Sequence, residues 1–146
     1  MGISQKRKGK AGEREFAKLL QEHLGVSVVR NLVQSRQGGA DLIGLPGWAI
    51  EVKRAAMPKI QEWWQQTCSQ AEVAGERPVL TYRLDRHSWR IVLALRDVAA
   101  GFENAPLSMR IECDIEVFSA LVREKLDEQQ PTERLIETAR TKRMAK

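Results

Sequence analysis

The stretch Asp-Leu-Ile-Gly-Leu-Pro-Gly-Trp-Ala-Ile-Glu-Val-Lys, from Asp41 to Lys53, holds two acids and a lysine where a hairpin would gather them. Leu45-Pro46-Gly47 supplies the turn, because proline fixes φ and glycine accepts backbone angles that other residues avoid. The flanks, Asp41–Gly44 and Trp48–Lys53, read as strands. Folding about Pro46 sets Asp41 opposite Glu51, and cross-strand neighbours have Cβ atoms roughly 4.5–5.5 Å apart. Side chains alternate along a strand, so Glu51 and Lys53 share one face while Ile50 and Val52 take the other. Two carboxylates held that close repel each other, and a cation between them relieves the repulsion. Lys53 lies one step along the strand and does this incompletely; a divalent metal ion does it fully.

These side chains need elements to hold them. Ala11 to Leu24 reads as a helix. At about 100° per residue, Glu13 falls on the apolar stripe of Phe16, Ala17, Leu20 and Leu24, while Glu15 points to solvent. A carboxylate on a buried face needs a cation, a hydrogen bond or a metal. In the first turn, Glu13 could instead complement the helix dipole or reach a neighbouring base. Gly25 is placed to end the helix, and β-branched Val26–Arg30 reads as a strand. Asn31 to Ala40 is a polar loop. Pro58 opens a second helix that reaches Ala74 and stops at Gly75. Its inner stripe is Ile60, Trp63, Trp64, Thr67, Ala71 and Ala74, with both tryptophans in the core.

Val79–Leu84 and Trp89–Leu95 form two strands about the turn Asp85-Arg86-His87-Ser88. His87 reads as a solvated turn residue and His23 has no partner that suggests chemistry. Arg83, Arg86 and Arg90 either touch phosphate or solvate the end of this hairpin. Met109–Cys113 has the make-up of a short edge strand. Asp114 caps a helix from Ile115 to about Glu128, packed through Val117, Phe118 and Leu121. Pro131 marks a break before a last amphipathic helix with Leu135, Ile136 and Ala139, suited to a partner or dimer surface.

Composition limits what such a scaffold serves. The chain has 146 residues, 42% of them hydrophobic, which suits one domain with an ordinary core. No apolar run approaches the roughly 18 residues of a membrane span. The first residues are basic, without the apolar core of a secretion signal, and Lys6 breaks the myristoylation pattern. Cys68 and Cys113 lack metal-ligand spacing, which argues against a disulfide framework and for a reducing cytoplasm. The net charge of +5 suggests a polyanionic partner, and its distribution says more. Lys6, Arg7, Lys8 and Lys10 precede the first helix, Arg30, Arg36 and Arg54 flank the acidic hairpin, and Arg140, Lys142, Arg143 and Lys146 close the chain. Residues 1–9 read as a basic flexible segment, 10–100 as the core, and 101–146 as a helical extension of the same domain or a dimer surface.

In this order, Lys8-Gly9-Lys10-Ala11-Gly12-Glu13-Arg14-Glu15, Val28-Val29-Arg30, Ala40-Asp41-Leu42 and Ile50-Glu51-Val52-Lys53 resemble the PD-(D/E)xK nuclease superfamily. Within it, the likeness is to the archaeal- and phage-type Holliday junction resolvases. It extends through about Ala55 and more loosely over the sheet to Leu95, and Ala40 stands where the superfamily name has proline. The resemblance implies a mixed α/β, restriction-endonuclease-like core: a central mixed sheet of about five strands flanked by helices, with extra C-terminal helices.

It also implies a metal-dependent, structure-selective DNA endonuclease that resolves four-way junctions by paired symmetric nicks, in recombination or branched-DNA processing. The alternatives are a restriction-like or nicking nuclease of the superfamily, or a non-catalytic DNA-binding protein on the same fold. By the resemblance, Asp41 and Glu51 hold Mg²⁺, with Mn²⁺ able to substitute, and the Val52 carbonyl assists. Glu13 completes the metal shell and Lys53 positions water or stabilises the transition state. Lys6, Arg7, Lys8, Lys10, Arg30, Arg36 and Arg54 grip DNA, and Gln70 lines the site. The resemblance further implies a two-fold homodimer that matches a nearly two-fold junction, acting in the host cytoplasm if phage-encoded.

Overall fold

In the computed structural model, residues 2–33 and 40–144 are described, with side chains described outside residues 129–138. The order of elements is α1 (Ile3–Leu24), β1 (Val29–Arg30), β2 (Leu42–Ile43), β3 (Trp48–Ala55), α2 (Ile60–Ala74), β4 (Arg77–Leu84), β5 (Arg90–Ala94), α3 (Leu95–Val98), β6 (Arg110–Cys113) and α4 (Ile115–Met144). Among the described residues, six strands form one sheet in the order β1-β2-β3-β4-β5-β6. Only the β3–β4 pair is parallel; the others are antiparallel. The parallel pair needs a crossover, and α2 provides it. The sheet has six strands where the family resemblance implied about five, and β6 is the short edge strand read at Met109–Cys113.

Period-2 alternation splits the core in two. Trp48, Ile50 and Val52 of β3, Val79 of β4, and Ile91 and Leu93 of β5 pack with Phe16 and Leu20 of α1 and Phe118 and Val122 of α4. Leu80 and Tyr82 of β4, with Val92 and Ala94 of β5, pack on the opposite face with Trp63 and Trp64 of α2. The sheet is therefore sandwiched, with α1 and α4 on one side and α2 on the other. Trp64 Nε1 donates to the Leu107 carbonyl at 2.8 Å, which fastens the loop before β6 to α2.

Several boundaries differ from the sequence reading. Helix α1 begins at Ile3, so Lys6, Arg7, Lys8 and Lys10 stand on its first turns and not on a separate coil. Lysine, arginine and glutamine are good helix formers, and nothing in this stretch stops the helix. α4 is one helix through Pro131, without the expected second C-terminal helix. A proline forfeits one backbone hydrogen bond, and here the helix continues on either side of it. Leu135 and Ile136 lie outside the described side chains; Ala139 is exposed. Val117, expected in the α4 contact, is exposed, because the packed stripe runs through Phe118, Ser119 and Val122. Ala74 likewise is exposed at the end of α2. Asp114 is the cap the sequence implied: its Oδ1 accepts from the Val117 amide at 2.9 Å. Gly25 and Gly75 end α1 and α2 in the left-handed conformation.

Candidate active site on the β2–β3 hairpin

The hairpin turn is built as its residues dictate. Trp48 N–H donates to the Leu45 carbonyl at 3.3 Å, with Pro46 and Gly47 between them and Gly47 at φ 87°. That is a type II turn, with proline and glycine at the positions that demand them. Leu42 pairs with Ile50, so the register about Pro46 sets Asp41 opposite Glu51. Gly44, at φ 121°, lets the hairpin pass close to the Ser27 carbonyl, where a Cβ would collide.

Asp41 is clamped through its backbone and its side chain. Its amide donates to the Ile50 carbonyl and its carbonyl accepts from the Asn31 amide, both at 2.8 Å. Its Oδ2 accepts from the Val52 amide at 2.7 Å, a charge-assisted bond that fixes the carboxylate over β3. Asp41 and Glu51 are only 5% and 4% exposed. Lys53 Nζ lies 3.3 Å from Glu51 Oε1. Burial, and then the neighbouring Asp41 carboxylate, push the Glu51 carboxyl up to about 8 despite Lys53. Two acids and one ammonium leave a net negative charge in a dry place. In the protein alone, a proton on Glu51 neutralises it at neutral pH.

The pair fits a hard divalent cation in the same way. Its donors are carboxylate and backbone oxygens, without sulfur or imidazole, which suits an ion of the Mg²⁺ kind. Such an ion would take the place of the proton. The site is nonetheless leaner than the sequence reading. Among the described residues, no three His, Cys, Asp or Glu side chains group as a ready metal cage. Glu13 does not join the pair: its Oε2 accepts from Arg30 Nε at 2.6 Å. Alternation explains the separation. Ile50 and Val52 face α1, so Glu51 and Lys53 face the α2 side, whereas Glu13 rides on α1. The part of Val52 that meets the acids is its amide. Gln70 is half-buried on α2, two turns beyond Trp63.

Glu15 was expected to face solvent and instead joins α1 to the sheet. It accepts from Trp89 Nε1 at 2.9 Å, from Arg54 Nη1 at 3.4 Å, and from Arg83 Nη1. The available signal was Gly12, a mid-helix glycine three residues earlier and so on a neighbouring face. Gly12 is buried against the Arg54 side chain, and any Cβ there would strike it.

The basic residues are distributed unevenly. Lys6, Arg7 and Lys10 are exposed on α1, while Lys8 Nζ pairs with Asp85 Oδ1 at 2.6 Å. Arg30 and Arg54 are held by acids, as above, and Arg36 lies outside the described residues. Arg90 Nε meets Glu112 Oε2 at 3.2 Å, and Arg83 Nε donates to the His87 carbonyl at 2.8 Å, so both arginines brace the sheet edge. Arg86 is exposed in the turn, as is His87. Cys68 and Cys113 are free thiols. No helix among the described residues is long and apolar enough to cross a membrane.

No curated protein matches the chain in sequence. Among solved structures, the chain is similar to Hjc, a Holliday junction resolvase from the archaeal hyperthermophile Archaeoglobus fulgidus. The identity is 20%, over 75% of this chain and 86% of that one, with a TM-score of 0.45. Residues 4–129 match the model of the family described as "Phage putative PDDEXK endonuclease". With that match across most of its length, and with the acidic pair and lysine on its hairpin, the chain belongs to this phage endonuclease family.

Proposed function

We propose that the protein is a divalent-metal-dependent endonuclease of branched DNA that cuts four-way junctions by paired nicks. The observation that carries the reading is the buried Asp41–Glu51 pair with Lys53 Nζ 3.3 Å from Glu51. Asp41 and Glu51 hold the ion, Mg²⁺ or Mn²⁺, assisted by the Val52 carbonyl. When bound, it lowers the pKa of water and neutralises charge that grows on the phosphate. The Val52 amide keeps the Asp41 carboxylate aimed inward. Lys53 donates to the oxygens on which charge develops, in a site dry enough to strengthen that contact. Gln70 lines the α2 side. Arg30, which Glu13 holds on β1, binds the incoming phosphate backbone as well.

Lys6, Arg7, Lys8, Lys10, Arg36 and Arg54 bind phosphates without reading bases, so recognition is by shape. Junction preference is supported by the likeness of Lys8–Glu15 and Ile50–Lys53 to the resolvases. A homodimer is supported by the edge around β1, where Val29 and its partner Ile43, with Leu32 and Val33, are exposed. A second copy related by a two-fold axis would cover that edge. The protein then acts in the cytoplasm of the cell that holds the recombining DNA.

The test compares a four-way junction with a linear duplex of equal length, in Mg²⁺ and in Mn²⁺, for the wild type and Asp41→Asn. Junction cutting that is lost in Asp41→Asn while binding persists supports the proposal. Equal cutting of both substrates replaces the resolvase with a restriction-like or nicking enzyme. Binding without cutting in either metal leaves a DNA-binding protein.

A further inference from the structure

A cleft of about 500 Å³ opens beside Lys53 and wraps around the C-terminal end of β3. One wall is α1, through Lys8, and the other is the β3–α2 connection, through Met57 and Lys59, with Trp63 behind it. Lys8, Lys53, Arg54 and Lys59 all line it, and no acidic residue does. Three of these cations have acidic partners that do not line the cleft, Asp85 for Lys8, Glu51 for Lys53 and Glu15 for Arg54. Arg54 Nε is buried without a hydrogen-bond partner among the described residues. Lys59 is exposed and, among the described residues, has no ion-pair partner. Apart from Gln5, the rest of the lining is apolar. Met57 is 71% exposed at the rim, a large hydrophobic side chain beside four positive charges.

Cations along one side and an apolar wall on the other match a nucleotide, which carries its charge on the phosphate and its apolar surface on the base and sugar. A wholly apolar ligand would leave Lys59 unanswered, and a bare phosphate would leave Met57 in water. Lys53 belongs both to this cleft and to the acidic pair, so whatever fills the cleft abuts the reacting centre.

We propose that the cleft is a subsite for the deoxynucleotide next to the scissile phosphate, with its phosphate on Lys59 and Arg54 and its sugar and base against Met57. The inference rests on the reading of the protein as a DNA endonuclease. It adds Lys59 and Met57 as positioning residues that the hairpin motif does not contain.

The experiment measures metal-free binding of a fluorescent four-way junction by the full-length wild type, Lys59→Ala, Lys59→Arg, Met57→Ala and, as a charge control outside the cleft, Lys125→Ala. Loss of one phosphate contact should weaken binding about fivefold and lower the slope of log affinity against log salt by about 1. Lys59→Arg should restore both. Met57→Ala should weaken binding with no change in the salt slope. Junctions with a neutral methylphosphonate at single linkages then locate the contact. One linkage adjoining the cut should weaken the wild type and leave Lys59→Ala unaffected. If Lys59→Ala behaves like Lys125→Ala in slope and at every linkage, while the wild type binds and cuts, the subsite is refuted and the nuclease reading stands. A wild type that neither binds nor cuts overturns both.

Discussion

Glu51→Gln, measured without metal, probes the electrostatics of the site directly. Glu51 is almost wholly buried, and its carboxyl is raised from 4.5 to about 8, first by burial and then by Asp41. An acid that binds its proton more tightly when folded stabilises the fold below its unfolded value and loses that contribution as pH rises to the folded one. The window here runs from about 4.5 to about 8. Each unit within it costs roughly 1.4 kcal/mol, so the metal-free wild type at pH 7 gives up about 3 kcal/mol relative to pH 4. Glutamine keeps the shape and cannot ionise. In EDTA, Glu51→Gln should therefore match the wild type near pH 4 and exceed it by a few kcal/mol at pH 7 and above. Millimolar Mg²⁺ should reverse the order. The ion takes the place of the proton in the wild type, with a gain that rises with pH towards 8, while the variant gains little. Urea unfolding followed by circular dichroism from pH 4 to 9, with EDTA or Mg²⁺, reads both effects. Parallel pH profiles for the two proteins in EDTA would refute the argument, because Glu51 would then ionise as freely folded as unfolded.

Glu15→Gln should lower stability by about 1–2 kcal/mol in urea unfolding, because Arg54, Arg83 and Trp89 lose a charged acceptor, discounted for the partial exposure of Glu15. Gly44→Ala should cost more, about 2–3 kcal/mol by thermal unfolding, because it forces alanine to φ 121° and drives a Cβ into the Ser27 carbonyl. A Gly44→Ala protein as stable as the wild type would mean that the hairpin does not approach Ser27 this closely.

The legible parts of this protein were those set by local rules. Pro46 and Gly47 imposed a turn, and the turn imposed a register that no longer-range contact needed to choose. Gly25, Gly75 and Asp114 ended or began helices because their backbone or side-chain chemistry acts within a few residues. Two tryptophans on one stripe of α2 were core because so much apolar surface at helical spacing has to be buried. The basic start of the chain is helix and not coil, because its propensity outweighs its charge.

Helical periodicity alone placed Glu13 on the packed stripe and mislaid Glu15. It ranks positions by the breadth of an apolar stripe and does not know which face of the sheet the helix will meet. By itself, then, the sequence determined the hairpin, the opposition of Asp41 and Glu51, and Lys53 on the same face, because turn geometry and two-residue alternation are properties of the local chain. Only the tertiary structure decided that α1 packs on the Ile50–Val52 face, that Arg30 occupies Glu13, and that Glu15 holds Arg54 and Arg83. Each depends on which distant elements stack across the sheet, a choice made by the whole core at once.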